Sequence, residues 1–305
     1  MPDLFTFGEA MALFMSTDTD SVKTARKYEM SAAGAEGNVA VAAKRLGLEV
    51  YFLTKLGADF LGDNVISQFE SEGINTKPFI RTENYTGALV RNRGQEEPLD
   101  VTYLRRSAAA STFAPSDIDE AILSKSRWLH VTGITVALSD SARDSVAHAM
   151  ELSRKHNVPT SFDLNIRRKL WSVEKASTTL RELAHDIELI TGGVDEYELV
   201  FGSKDPEENL RLATSKNIKT AIMTAGPELV RIFSNGERFD FEPKVVETVD
   251  PVGSGDAFIS GTISGLLGGL AIRDAIAQGS KCGAMVAATM GDWAGMASGV
   301  KGILA

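Results

Sequence analysis

The amino-acid sequence predicts one α/β domain with a mostly parallel central sheet and a small β-structured lid. From about residue 110 onward, short apolar runs alternate with longer amphipathic segments, which is typical of parallel strands joined by crossover helices. Two other segments, residues 10–32 and 85–109, mix β-favouring residues with polar alternation, and we assign them to the lid. Because no repeat, low-complexity tract or long linker interrupts the chain, we expect residues 1–305 to form a single domain.

The N-terminal part of the chain supplies one helix, one strand and the lid. The stretch NVAVAAKRLG (38–47) has the apolar spacing of a helix, and EVYFLTKLG (49–57) has the composition of a strand. Within the second lid segment, the turn-forming run RGQEEP (93–98) indicates a hairpin.

The rest of the chain alternates strands and helices. The stretch SDSARDSVAHAMELSRKHN (139–157) is predicted to be a helix, because Ser139 or Ser141 can cap its start and basic residues at its end complement the helix dipole. A second helix covers 256–271. Predicted strands occupy residues 127–134, 159–165, 187–192 and 218–226.

Small and polar residues directly follow several apolar runs. Four such positions are Gly133, the segment Asp163 to Arg167, Gly226 and the stretch TVDPVGSGDAFISG (248–261). Open parallel sheets bind their ligands at the carboxyl ends of the strands. The sequence therefore predicts the functional site at that edge of the sheet.

Charge and composition argue against several classes of partner. The formal net charge of −9 at pH 7 repels phosphate on average, so we expect no nucleic-acid partner. No run approaches the roughly 18 uncharged apolar residues of a membrane span, and the first residues do not resemble a signal peptide, so we expect no membrane partner. The single cysteine, Cys282, excludes an internal disulfide. We therefore expect a cytoplasmic protein.

Common nucleotide and metal motifs do not occur. The chain contains no G-x-x-x-x-G-K-[ST], and GSGDAF has Phe258 where a dinucleotide-binding fingerprint needs a small residue. The histidines lack the spacing of metal ligands, so we interpret them as structural or surface residues; they are His130, His148, His156 and His185.

The glycine-rich turn before the second helix has the composition of an anion-binding site. The backbone N–H groups of Gly253, Ser254 and Gly255 can point inward together, facing the positive end of the helix dipole. An aspartate in this position is often only a helix cap. Asp256, however, has a second carboxylate, Asp250, six residues before it. Donors for phosphate charge and a carboxylate near a hydroxyl are the parts that phosphoryl transfer requires.

Two glycines in this second helix, Gly261 and Gly265, fall on nearly one face of it. Glycine lets another backbone approach closely. We therefore expect a tightly packed neighbour at that face.

Two motifs identify a family resemblance. The stretch DPVGSGDAFISG (250–261) resembles the D-T-x-G-A-G-D-x-F-x-x-G signature of the ribokinase-like (PfkB) carbohydrate kinases, with Pro251 for Thr and Ser254 for Ala. The stretch AGAEGNVAVAAKRLG (33–47), followed by KLGADFLGD (55–63), resembles a second signature of the same family. The resemblance covers essentially the whole chain. It implies a three-layer α/β/α sandwich with a β-sheet lid, and an ATP-dependent sugar kinase.

Within this family the chain is most similar to the 2-keto-3-deoxygluconate kinases. The similarity is carried by FGEAM (7–11), YLRRSAAAS (103–111), LHVTGITVALS (129–139), SFDLNIRRKLW (161–171) and GDWAG (291–295). It implies phosphorylation of the terminal C6 hydroxyl of 2-keto-3-deoxygluconate. The residues that it implies for the sugar-acid site are Gly34, Glu36, Asn38, Leu89, Tyr103, Arg105, Ile134, Arg167 and Asp292.

Arg105 and Arg167 suit the carboxylate of such a substrate, because the arginine guanidinium presents a planar fork of hydrogen-bond donors. Taken singly, Arg105 is better explained as a surface arginine of the lid, and Arg167 as a partner in a salt bridge at a helix start. Their joint placement in an acidic chain favours ligand binding. Leu89 departs from the pattern, since related kinases often have tyrosine there.

The resemblance also implies the nucleotide and metal sites. Asp256 would be the general base, with the N–H groups of Gly253, Ser254 and Gly255 on the transferring phosphoryl group. Magnesium would be held through water by Glu196, although Gly193 replaces the usual asparagine of that motif. The residues implied for ATP are Thr224, Gly226, Gly253, Gly255, Gly283 and Ala287.

Two further features follow from the resemblance as open expectations. A potassium site would lie near Asp250 and the 288–295 loop. A homo-oligomer would form through the exposed face of the β lid.

Alternative functions remain open on the sequence alone. The substrate could be fructose, ribose or 5-dehydro-2-deoxygluconate; the two arginines argue against a neutral sugar. A non-catalytic sugar-binding protein with this fold is a second alternative, disfavoured by the intact Asp256 and its glycine turn. A structural interaction module would explain neither that turn nor the polar strand ends.

Overall fold

A computed structural model describes residues 1–95 and 98–296 of the chain. The described strands are β1 (Leu4–Phe7), β2 (Met11–Ser16), β3 (Tyr28–Ala33), β4 (Val50–Leu53), β5 (Lys55–Gly57), β6 (Ile80–Thr82), β7 (Ala88–Arg91), β8 (Val101–Leu104), β9 (Trp128–Thr132), β10 (Thr160–Asp163), β11 (Ile187–Gly193), β12 (Ile218–Thr224), β13 (Val230–Ser234) and β14 (Glu237–Phe241). The described helices are α1 (Ala35–Arg45), α2 (Phe60–Ser71), α3 (Glu120–Leu123), α4 (Gly133–Leu138), α5 (Asp140–Lys155), α6 (Val173–Leu183), α7 (Val194–Phe201), α8 (Pro206–Thr214), α9 (Ser254–Leu267) and α10 (Ile272–Ala287).

Eight strands form the central sheet, in the order β14-β13-β12-β11-β10-β9-β1-β4. The six strands from β12 to β4 are parallel to one another, and β13 and β14 complete one edge as antiparallel strands. Helices α5 to α8 pack on one face, and α1, α9 and α10 pack on the other. The predicted three-layer α/β/α sandwich is therefore confirmed.

Continuous apolar runs form the inner strands, because both faces of these strands are covered by helices. All five residues of β9 are buried. Helix α5 begins as predicted: the Ser139 hydroxyl accepts a hydrogen bond from the Ala142 N–H at 3.0 Å. Arg154 and Lys155 lie in its last turn, at the negative end of the helix dipole.

The predicted strand 49–57 is wrong as a single element. The chain leaves the central sheet after β4, and β5 pairs with β6 in a separate two-stranded sheet. Thr54 lies between β4 and β5, and its hydroxyl accepts a hydrogen bond from the Ala10 N–H at 3.1 Å. A β-favouring composition cannot show this change of partner, since both halves are true strands.

The lid is a four-stranded sheet in the order β3-β2-β7-β8, drawn from the two segments that the sequence predicts. Strands β7 and β8 form the expected antiparallel hairpin, although residues 96 and 97 of its turn lie outside the described residues. Alternate residues face opposite sides: Ala12 packs towards α2, whereas Met11 and Leu89 face the central sheet's carboxyl edge. Within the described residues, no helix combines the length and hydropathy needed to cross a bilayer.

Helices α9 and α10 pack at close range through glycines. A Cβ added to Gly261 would lie 2.8 Å from the Cα of Gly279, and one added to Gly265 would lie 2.9 Å from the Cα of Ala275. The close neighbour expected from the two α9 glycines is thus α10. On the α10 side, a Cβ on Gly279 would lie 2.4 Å from the Phe258 carbonyl oxygen.

We predict that Gly279→Ala lowers the free energy of unfolding by about 1–3 kcal/mol, because the added methyl group forces the two backbones apart. Urea unfolding followed by circular dichroism measures this. Gly255→Ala is the matched control: nothing lies within 4 Å of a Cβ there, so the better helix former should be neutral or stabilise by up to ~1 kcal/mol. Equal effects of the two substitutions would contradict the proposed close contact.

Candidate active site

A cleft of about 630 Å³ lies between the lid and the carboxyl edge of the central sheet. Its position agrees with the strand-end site that the sequence predicts. The predicted site residues that line it are Gly34, Asn38, Leu89, Ile134, Arg167, Glu196, Thr224, Gly226, Gly253, Ser254, Gly255, Asp256, Gly283, Ala287 and Asp292. Three predicted residues, Glu36, Tyr103 and Arg105, lie near the cleft without lining it.

The glycine turn enters α9 in a conformation that suits glycine. Gly253 has φ +81°, and a Cβ there would lie 2.0 Å from the Asp292 carbonyl oxygen. The Ser254 N–H and hydroxyl both donate to the Pro251 carbonyl, at 3.3 and 2.7 Å, so they shape the turn. Gly255 lies in the first helical turn, where N–H groups have no carbonyl partner within the helix. The turn can therefore present donors to an anion.

Asp256 is buried beside this turn, in the first turn of α9. Its Oδ2 accepts a hydrogen bond from Asn38 Nδ2 at 2.7 Å. Burial raises the pKa of Asp256 to about 7; the Asn38 hydrogen bond and the charge of Arg167 lower it, and the charge of Asp292 raises it. The carboxylate is thus poised to exchange a proton near neutral pH, as a general base requires.

Two further carboxylates, Asp163 and Glu196, line the cleft with Asp256. Asp163 ends β10 and lines the cleft, and its pKa is raised well above the usual value by burial and by the charges of Glu196 and Asp256. Glu196 lies at the start of α7 and accepts hydrogen bonds from the Gly193 and Ile166 N–H groups. Asp163 begins the strand-end segment 163–167 that the sequence predicts for the site, but the resemblance implies no particular role for it.

These carboxylates suit a divalent cation, because a bound cation would relieve the repulsion between their negative charges. Within residues 1–95 and 98–296, no cluster of three or more side chains has the geometry of a metal site. Magnesium commonly binds through one or two carboxylates together with substrate phosphates and water. Asp163 and Glu196 are the candidates for that role.

Glu36 has a structural position. Its Oε1 accepts hydrogen bonds from the hydroxyls of Thr132 and Thr135, at 2.7 and 2.6 Å, which tie α1 to the end of β9. A Cβ on Gly8 would lie 2.2 Å from the Glu36 Cδ, so its carboxylate is enclosed by protein. Burial raises its pKa. Glu36 does not line the cleft, and its contact with the sugar stays a prediction.

Arg105 is buried rather than open to the cleft. Its guanidinium forms an ion pair with Glu9, and its Cζ lies 5.2 Å from the centre of the Tyr103 ring. Burial raises the pKa of Glu9 to about 7, against the effect of the Arg105 charge. Arg167, by contrast, is exposed and lines the cleft. The two predicted carboxylate-binding arginines therefore have different surroundings.

The opposite end of the cleft is less polar. Thr224 ends β12, Gly226 follows it with φ +60°, and Gly283 and Ala287 face them from α10. A Cβ on Gly283 would lie 2.9 Å from the Ser254 carbonyl oxygen, so glycine lets α10 approach the turn. Apolar side chains complete this end; they are Val230, Pro243, Val246 and Phe258. The cleft thus joins an apolar compartment to the charged one through the glycine turn.

Comparisons with known proteins agree with this geometry. A family model described as pfkB family carbohydrate kinase matches residues 1–297. The chain is 34% identical over 299 residues to a 2-dehydro-3-deoxygluconokinase of Bacillus subtilis (strain 168), covering 96% of this chain and 92% of the relative. It is 30% identical over 297 residues to a 2-dehydro-3-deoxygalactonokinase of Haloferax volcanii, covering 96% and 93%.

A solved structure shows the same architecture. The crystal structure of a 2-dehydro-3-deoxygluconokinase from Thermotoga maritima superposes with a TM-score of 0.88 at 26% sequence identity, covering 99% of this chain and 98% of that one. Matches in sequence and in fold thus extend over nearly the full length. The chain belongs to the pfkB family of carbohydrate kinases.

Proposed function

We propose that this kinase transfers the γ-phosphoryl group of ATP to the C6 hydroxyl of 2-keto-3-deoxygluconate, also called 2-dehydro-3-deoxygluconate. The observation that carries the proposal is Asp256, a buried carboxylate with a pKa of about 7 beside the glycine turn at the start of α9. Relatives named for the gluconate and galactonate forms of this sugar acid support the substrate class.

In the proposed reaction, Asp256 accepts the proton of the C6 hydroxyl while the C6 oxygen of the sugar attacks the γ-phosphorus. The bond from that phosphorus to the β-phosphate oxygen breaks, and ADP leaves. The N–H groups of Gly253 and Gly255 stabilise charge on the transferring group. Ser254 holds these N–H groups in position, because its hydroxyl and N–H donate hydrogen bonds to the Pro251 carbonyl and shape the turn. Asn38 orients Asp256 through its hydrogen bond.

The nucleotide and metal occupy opposite sides of the turn in this proposal. Adenosine binds in the apolar compartment near Thr224, Gly226, Gly283 and Ala287. Asp163 and Glu196 would hold magnesium, which would screen the ATP phosphates when bound.

The sugar acid binds beneath the lid. Arg167 is the principal partner for its carboxylate, because this arginine is open to the cleft. Asn38, Asp292 and Gly34 contact its hydroxyl groups, and Leu89 and Ile134 contact its carbon chain. Tyr103 packs against the Met11 and Leu89 cluster and contacts the sugar acid from the lid. Arg105 reaches the sugar acid only after it leaves Glu9.

We also propose that the lid mediates a homo-oligomer and that the protein acts in the cytoplasm. Two large apolar side chains of the outer lid strands, Tyr28 and Leu104, are 38% and 54% exposed, which favours a protein partner there. No comparison shows the potassium site expected near Asp250, and the Asp250 carboxylate forms an ion pair with Arg91 at 2.5 Å.

The assignment of the base predicts that Asp256→Asn lowers kcat by about 10²-fold or more, because the amide keeps the shape but cannot accept the proton. ADP release in the presence of ATP, magnesium and sugar acid measures it. Asp274→Asn, on the exposed first turn of α10, is the control and should keep parental turnover. Turnover of Asp256→Asn within about tenfold of the parent would overturn the assigned role.

The raised pKa of Asp256 predicts the pH dependence of kcat/KM. Only the deprotonated carboxylate is a base, so kcat/KM should rise with pH and level off above a midpoint of about 7. Asp292→Asn removes a charge that raises this pKa, and Arg167→Gln removes one that lowers it. The midpoint should therefore move down in the first variant and up in the second. Shifts in the same direction would contradict the proposed electrostatics.

The proposed substrate is tested with a panel of purified sugars under the same ADP-release assay. We expect the highest kcat/KM for 2-keto-3-deoxygluconate, followed by its galactonate epimer, with fructose, ribose and nucleosides far lower. Arg167→Gln should reduce kcat/KM for the sugar acids by about 10²-fold and should affect neutral sugars less, because it removes a charge-assisted contact. Preference for a neutral sugar would refute the substrate while leaving the kinase activity intact.

A further inference from the structure

A buried ion-pair network lies directly behind the glycine turn. Arg91 ends β7 of the lid and is 1% exposed, yet it carries a full positive charge. Its Nη2 lies 2.5 Å from Asp250 Oδ2 and 3.5 Å from Asp292 Oδ1. A buried arginine between two carboxylates from distant parts of the chain is costly to desolvate, so its presence calls for a reason beyond packing.

The carboxylate of Asp250 and the backbone of Asp292 contact the two sides of the turn. Asp250 Oδ1 accepts from the Val252 N–H, and its Oδ2 accepts from the Gly291 N–H, both at 3.1 Å. The Asp292 carbonyl oxygen lies against Gly253, at the point where a Cβ would be 2.0 Å away. The position of the phosphate-binding N–H groups therefore depends on Asp250 and on the 291–292 loop.

The network also reaches the proposed base. Asp292 lines the cleft, and its negative charge acts on Asp256. Without a positive charge between them, Asp250 and Asp292 would repel each other and raise the local negative potential where ATP must bind. The positive charge of Arg91 behind the turn reduces both the repulsion between the two aspartates and the negative potential.

We propose that Arg91 is a positioning residue for phosphoryl transfer: its guanidinium is a built-in counter-cation that fixes Asp250 and Asp292 behind the glycine turn, so turnover requires no added monovalent cation. The inference rests on the proposed kinase function. A small cation such as potassium could in principle neutralise the same pair, and the arginine makes it unnecessary.

The first test compares the parent protein in potassium, sodium and tetramethylammonium chloride at one ionic strength, with ATP, magnesium and 2-keto-3-deoxygluconate. Equal kcat in the three salts is expected. A parent that is active only in potassium would overturn the inference. A parent that does not turn over 2-keto-3-deoxygluconate in any of the three salts would instead overturn the proposed function.

The second test removes the charge. Arg91→Met should lower kcat by about 10²-fold with little change in the sugar KM, because it misplaces transition-state donors rather than sugar contacts. Guanidinium or potassium ions, but not tetramethylammonium, should restore kcat by about tenfold or more. Arg26→Met, an exposed arginine between β2 and β3, is the control and should match the parent in every salt. Parental kcat in Arg91→Met would refute the inference.

Two more variants distinguish a direct effect of Arg91→Met on turnover from a loss of activity caused by misfolding. Arg91→Lys keeps a charge and should retain more activity than Arg91→Met. The double variant Arg91→Met with Asp250→Asn leaves no unpaired buried charge at Asp250, so it should unfold at a higher temperature than the single variant but should not respond to guanidinium or potassium. Rescue of the double variant equal to that of the single variant would show that the cations act elsewhere, contrary to the inference.

Discussion

The arrangement of the cleft depends on the cost of burying carboxylates close together. Burial raises the pKa of Asp256 to about 7 and that of Asp292 to about 6. A carboxylate in such surroundings keeps its charge only if a hydrogen-bond donor or a cation lies within reach. Asn38, Arg91 and Arg167 supply these partners from three different parts of the chain. An acidic protein thus places two arginines and an amide donor around the carboxylates of its cleft.

The same burial lowers stability at neutral pH. The pKa of Asp256 in the folded protein, about 7, lies above the value of 3.8 for a free side chain. Its contribution to folding is therefore fully present below about pH 4 and is lost as pH rises through about 7, because the unfolded chain gives up its proton more readily. Nearby contacts must offset this loss, and the close packing of α9 on α10 through Gly261 and Gly279 is one such contact.

The sequence was sufficient for features that local pattern determines. Apolar runs and helix caps predict the parallel strands and their crossover helices, and the glycine-rich stretch 253–255 predicts the turn before α9, because each depends on neighbours within a few residues. The break at Thr54, the enclosed position of Glu36 and the ion pairs of Arg91 depend instead on partners far along the chain. Composition carries no signal for such pairings, so the structure was needed to find them.

The pairing of Arg105 with Glu9 constrains how the lid can contribute to binding. A sugar carboxylate can take the Arg105 fork only by displacing Glu9, which is 2% exposed and would then be a buried charge without its partner. Because the pKa of Glu9 is about 7, that carboxyl group can accept a proton at little cost near neutral pH. In the proposed binding mode, use of Arg105 would therefore require proton uptake at Glu9, whereas Arg167 is exposed and already faces the cleft.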